Sequence, residues 1–130
     1  VTKAQDDKQQ VGLTPEANEM IKSIAFKHFD GSEQDAYRFA IAYAVGAEFD
    51  PADAPGGQVT KFSALGTLES NGSIRDLLGI LGVGDINRPF ATAEKLAELG
   101  VRDIAKRLDE NETLGEIAAS VAKIVDSDER

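Results

Sequence analysis

Between residues 8 and 29 the chain reads KQQVGLTPEANEMIKSIAFKHF, and its apolar period changes there from two to about 3.6 within a few residues. Val11 and Leu13 alternate with Lys8, Gln10 and Gly12, the pattern of a short strand. Thr14 then offers a side-chain oxygen as an N-cap. Pro15 fits the first helical position, and Glu16 places negative charge at the positive end of the helix. Ala17, Met20, Ile21, Ile24 and Ala25 recur at helical spacing, and Phe29 closes that face. The stretch therefore predicts a strand feeding directly into an amphipathic helix, with both elements facing one core.

The next break is DGS at 30–32, where Gly31 can take positive φ and Ser32 can cap a second helix. The segment EQDAYRFAIAYAVGAEF is helical in pattern and rich in alanine, which allows another helix to approach closely. DPADAPGGQ at 50–58 gathers two prolines and a Gly-Gly pair and reads as a boundary between two halves. VTKFSALGTL at 59–68 suggests an extended strand weakened by Gly66. Ser73 and Asp76 resemble a capping pair before a helix over 73–81, and GVGDINRPF reads as a loop. A helical stretch over 92–108 is expected to break at Gly100, which resembles a C-cap. Thr113 and Glu116 form a capping box that opens a last helix over 113–126. Leu114, Ile117, Ala118, Val121 and Val125 make a stripe along it, open to packing inside the domain or against another subunit.

The expected architecture is mainly α, a helical domain with an N-terminal strand-helix-helix unit and one or two short strands. Its parts are a tail over 1–7, the strand-helix-helix unit over 8–49, the linker over 50–58, a helical second half of the same domain over 59–126, and a tail over 127–130. A chain of 130 residues with 42% hydrophobic residues can bury a core of its own. The polar start VTKAQDDKQQ does not have the pattern of a signal peptide, and no apolar run approaches the roughly 18 residues of a membrane helix. The absence of cysteine removes disulfides, thiolate metal sites and cysteine nucleophiles, and it fits a cytoplasmic protein.

Catalytic chemistry has little to stand on. His28 is the only histidine, so a zinc site would rest on carboxylates alone, a poor ligand set. Late in its helix beside Lys27, His28 reads as a residue that suits the negative end of the helix dipole. The glycines of GILGVGD do not fit a dinucleotide fingerprint, and no P-loop lysine comes after them. Prolines interrupt any calcium-loop pattern in DPADAPGGQ, and Asp109, Glu110 and Glu112 read as a solvated helix end. No enzyme, metal or cofactor is expected.

Residues 8–46 resemble the ribbon-helix-helix family of small DNA-binding proteins. VGLTPEANEMIKSIAF is similar to that family's strand and first helix. SEQDAYRFAIAYAV, with Arg38, Ala40 and Ile41, is similar to its second. The resemblance implies a dimer in which two strands pair antiparallel and enter the major groove of double-stranded DNA. The base-reading positions would be Lys8, Gln10 and Gly12, of which lysine can reach guanine and glutamine adenine. Glu33 and Asp35 stand where the family places a phosphate, at the start of the second helix. The helix pair also resembles a small oligomeric component of bacterial DNA sulfur-modification systems.

Charge points the other way. The chain carries a net charge of -9, and from Lys8 to Val45 there are four basic residues against five acidic ones. DNA-binding surfaces have a basic excess. The sequence thus supports two readings. One is a small oligomeric DNA-binding regulator or DNA-associated subunit. The other is an acidic protein-interaction subunit of a bacterial assembly, such as a defence or DNA-processing system, with no DNA contact of its own. Both expect a homodimer or higher homo-oligomer, with Val11, Leu13, Phe39, Ile117 and Val121 as interface candidates, and neither expects a membrane.

Overall fold

The computed structural model describes residues 10–63 and 89–128, with side-chain surroundings up to residue 121. The order is β1 (Gln10–Leu13), α1 (Pro15–His28), α2 (Glu33–Gly46), a 3-10 turn (Pro51–Asp53), β2 (Val59–Ser63), α3 (Pro89–Asp109) and α4 (Leu114–Asp128). The fold is mainly α with an N-terminal strand-helix-helix unit. Lys8, the tail over 1–7, residues 64–68 of the expected second strand and the helix expected over 73–81 lie outside the described residues.

Local signals set the first two helices. The Thr14 hydroxyl oxygen accepts from the Ala17 amide at 3.3 Å, with Pro15 at the first helical position. Lys27 and His28 fall in the last turn of α1, where positive charge suits the dipole. Asp30 and Gly31 turn the chain at φ 55 and 85, and the Gly31 amide closes on the Ala25 carbonyl at 2.9 Å. Ser32 caps α2 by accepting from the Asp35 amide at 3.2 Å. The α2 face then buries Ala36, Tyr37, Ala40, Ile41, Tyr43 and Ala44.

The small sheet joins the two halves of the chain. β1 pairs antiparallel with β2, Gln10 opposite Ser63 and Leu13 opposite Val59, with an irregularity between Val11 and Gly12. Lys61 adds an ion pair to Glu33 at the start of α2, and the Phe62 ring packs edge-on to Tyr37 with centroids 5.0 Å apart. The DPADAPGGQ segment is thus a connection inside one packed unit, and its 3-10 turn lies against α3.

Two sequence expectations are corrected in the second half. Helix α3 runs unbroken through Gly100 to Asp109, and it begins at Pro89, inside the segment expected as a loop. Pro89 opens the helix where its missing N–H costs nothing. Gly100 is not a cap. A Cβ there would stand 2.2 Å from the Ala40 carbonyl oxygen, so the glycine lets α2 and α3 meet backbone to backbone. Phe90, Ala93, Leu96, Ala97, Val101 and Ile104 complete the core from α3, and Ile117 from α4. The Thr113–Glu116 capping box is formed, with the Thr113 amide on Glu116 Oε1 at 2.8 Å and the Glu116 amide on Thr113 Oγ1 at 3.1 Å.

Alanine is a better helix former than glycine by about 1 kcal/mol. At residue 100 that gain is outweighed by overpacking, which costs about 1–3 kcal/mol and sometimes more. Gly100→Ala is therefore expected to lower the urea midpoint despite its higher helix propensity. An unchanged or raised midpoint would show that the interhelix contact is looser than the geometry implies.

Candidate functional site

The strand β1 is held from three sides. Besides β2, helix α3 turns two glutamates toward it, and α2 turns a tyrosine. Glu94 is 5% exposed and Glu98 is fully buried. The Gly12 amide donates to Glu94 Oε2 at 2.8 Å, and the Thr14 amide donates to Glu98 Oε1 at 3.0 Å. Four residues along a helix rise about 6 Å, and two along a strand roughly 6.7 Å. A pair at i and i+4 on α3 therefore meets two amides at i and i+2, one on β1 and one on the residue that follows it. The carboxylates occupy the hydrogen-bonding edge that another strand would otherwise use.

Glu98 is the better supported of the two. The Thr14 hydroxyl donates to its Oε2 at 2.7 Å, Arg102 Nε donates to the same oxygen at 2.6 Å, and Gln58 reaches Oε1 at 3.4 Å. Arg102 also bonds Thr14 Oγ1 and Glu16, so one guanidinium spans α3, the strand end and the start of α1. Burial pushes the Glu98 carboxyl up, but the donors from Thr14, Arg102 and Gln58 outweigh it and hold the group below the ordinary glutamate value of 4.5. On the other side, the Tyr37 hydroxyl donates to the Gly12 carbonyl at 3.1 Å. Burial, reinforced by the negative charge of Glu94 and Glu98, raises the Tyr37 pKa well above 10.0, so the hydroxyl keeps its proton.

A second polar cluster fastens α4. Arg107 grips Glu112 through Nε and one terminal nitrogen, and its other nitrogen donates to the Tyr43 hydroxyl at 2.9 Å and to Ser120 Oγ at 3.1 Å. Tyr43 in turn donates to Asp103. The Arg107 guanidinium holds the Glu112 carboxyl below its usual range. Burial, then the Asp103 bond, raises the Tyr43 hydroxyl pKa against the pull of Arg107. Beside this cluster, α1 and the α3–α4 connection enclose a groove of about 650 Å³. Met20, Ile24, Leu108 and Leu114 give it apolar lining, α1 adds Lys27 and His28, and the end of α3 and the connection add Asp109 and Glu112.

The residues singled out in the sequence are dispersed by the fold. Gln10 is exposed at the start of β1. Gly12 is enclosed: a Cβ would stand 1.7 Å from the Val59 carbonyl oxygen, and its amide and carbonyl are taken by Glu94 and Tyr37. Val11, Leu13 and Ile117 are buried in the core of this one chain. Phe39 is half-buried against Phe29, with centroids 5.5 Å apart, and half-buried Val121 packs on Gly46. Glu94, Glu98, Arg102, Tyr37 and Arg107 carry no motif that marks them in the sequence. No cluster of three or more histidine, cysteine or acidic side chains suited to a metal ion occurs among the described residues, and no helix there is long and apolar enough to cross a membrane. No family model, curated protein or solved structure matches the chain.

Removing one partner of a buried ion pair costs about 3–5 kcal/mol. Arg102 is 34% exposed, which lowers the cost here, so Glu98→Gln is expected to destabilise the fold by about 2–4 kcal/mol near neutral pH. Because the folded chain favours the charged form, the contribution of Glu98 is fully present above pH 4.5 and is lost as pH falls through the lower folded value. The wild-type urea midpoint should therefore fall faster below pH 4.5 than that of Glu98→Gln. Parallel pH profiles would remove Glu98 as a source of acid sensitivity.

Proposed function

We propose that this chain is an acidic protein-interaction subunit that assembles through protein contacts and makes no DNA contact of its own. The observation that carries this reading is the engagement of β1. A two-chain ribbon requires the strand's hydrogen-bonding groups to be offered to a second copy. Here β1 pairs with β2, and the amides of Gly12 and of Thr14, just after the strand, are held by buried glutamates. Pairing with a second chain would have to break one of these sets. Breaking the second takes a backbone donor from each of two buried carboxylates, and a lost hydrogen bond to a buried charged group is costly.

Charge supports the same reading. Lys22, Arg38, Lys61, Arg102 and Arg107 each have a carboxylate partner within the chain. At the start of α2, where the resemblance would seat a phosphate, Glu33 is paired with Lys61 and Asp35 with Arg38. The alternative, a DNA-binding subunit related to ribbon-helix-helix proteins, is favoured by the strand-helix-helix order of residues 10–46 and by exposed Gln10.

The readings separate in a fluorescence-anisotropy titration with double-stranded and single-stranded DNA across a salt series. Non-specific DNA binders bind in the range of roughly 1–100 µM, with affinity that falls steeply with salt. No saturable binding is expected over that range, even at ~50 mM salt. Salt-sensitive binding that weakens on Gln10→Ala, with the fold intact, would overturn the proposal and favour the DNA reading.

A further inference from the structure

Phe26 is 80% exposed, in contrast to the buried and half-buried aromatic residues of the helical core. It lies on α1 one turn beyond Ser23, which lines the groove between α1 and the α3–α4 connection, and next to Lys27, which also lines the groove. An apolar knob and an apolar-walled groove therefore lie side by side on one helix. The groove's volume of about 650 Å³ is ample for a phenyl ring. Its lining takes Lys27 from α1 and the carboxylates Asp109 and Glu112 from the end of α3 and the connection after it. Glu112 is already gripped by Arg107, whereas Lys27 and Asp109 have no ion pair among the described residues.

We infer that the occupant of this groove is a second copy of the chain, related by a two-fold axis. Phe26 of each copy enters the groove of the other, and Lys27 of each faces Asp109 of the other. A two-fold interface uses the same patch twice, so it needs a surface that complements itself. This surface does so in shape, as knob beside groove, and in charge, as Lys27 on the α1 side with Asp109 on the α3 side. Each contact occurs twice, and an exposed aromatic is the residue type that most often anchors an interface. The partial neutralisation of the acidic side also answers a physical difficulty, since two copies of a chain with net charge -9 repel each other at long range. The inference rests on the assembly reading above and specifies one of its contacts.

Sedimentation velocity on the full chain over a concentration series tests it. The wild type is expected to be a dimer with a dissociation constant below ~100 µM. Phe26→Asp should weaken dimerisation at least ~10-fold, with circular dichroism unchanged because the side chain is not in the core. Lys27→Glu and Asp109→Lys should each weaken it, and the double variant should restore it, since the swapped charges again face each other across the axis. A monomer at ~100 µM overturns the inference. So does a dimer insensitive to Phe26→Asp, a failure of the double variant to recover, or growth beyond the dimer with concentration. Its failure is distinct from that of the assembly reading. A monomer that binds no DNA removes the dimer and leaves contacts with other proteins, whereas a dimer that binds DNA keeps this interface and removes the assembly reading.

Discussion

The structure depends on a strand whose edge is closed by carboxylates. A four-residue strand buried among helices leaves amide groups that water cannot reach, and each unpaired one costs about 1–3 kcal/mol. Gly12 and Thr14 place two such amides toward α3, and Glu94 and Glu98 accept both. Burying carboxylates is itself unfavourable by several kcal/mol per ion. At Glu98 it becomes tolerable because backbone, hydroxyl, amide and guanidinium donors converge on the two oxygens. The strand and the helix therefore need each other. Without α3 the strand has orphan amides, and without β1 the glutamates have no reason to be inside.

That mutual requirement orders the rest of the packing. Arg102 ties the brace to Thr14 and the start of α1, and Tyr37 ties the Gly12 carbonyl to α2, so the first three elements are fastened together around Gly12 and Thr14. Gly12 itself must lack a side chain because the β2 backbone passes where a Cβ would be. Gly100 does the same for α2 and α3 some distance along the helix. Among the described residues, these two glycines thus mark places where backbones meet closely, and in each case the reason is a neighbour's carbonyl rather than a turn.

Much of the local structure is legible in the sequence, because caps and periodicity act over a few residues. Thr14-Pro15, Ser32 and the Thr113–Glu116 box all begin the helices they announce. Glycine misleads, because its two roles look alike in one dimension. Gly100 comes after an apolar repeat as a C-cap would, yet its neighbour is Ala40, sixty residues earlier. The carboxylate brace is hidden for a related reason. Glu94 and Glu98 flank the apolar stripe of Ala93, Leu96, Ala97 and Val101, where a charged residue normally marks the edge of the solvated face. The available signal is the spacing Glu94, Glu98, Arg102, which continues along that border at every fourth position. Its meaning depends on a strand more than eighty residues away.

The same brace bears on how the chain meets other molecules. An exposed strand edge recruits partners by backbone pairing, whatever their side chains. By committing that edge to its own glutamates, β1 gives up such pairing on the side that faces α3. The helical surface offers an exposed phenyl ring and a groove lined by apolar side chains and charges of both signs, while the guanidinium groups of Arg102 and Arg107 are held by carboxylates of the same chain. Contacts of that kind discriminate by shape and charge pattern rather than by a shared backbone ladder. The β1 edge and both arginines are thus spent on the chain's own packing, whereas the Phe26 ring is left exposed.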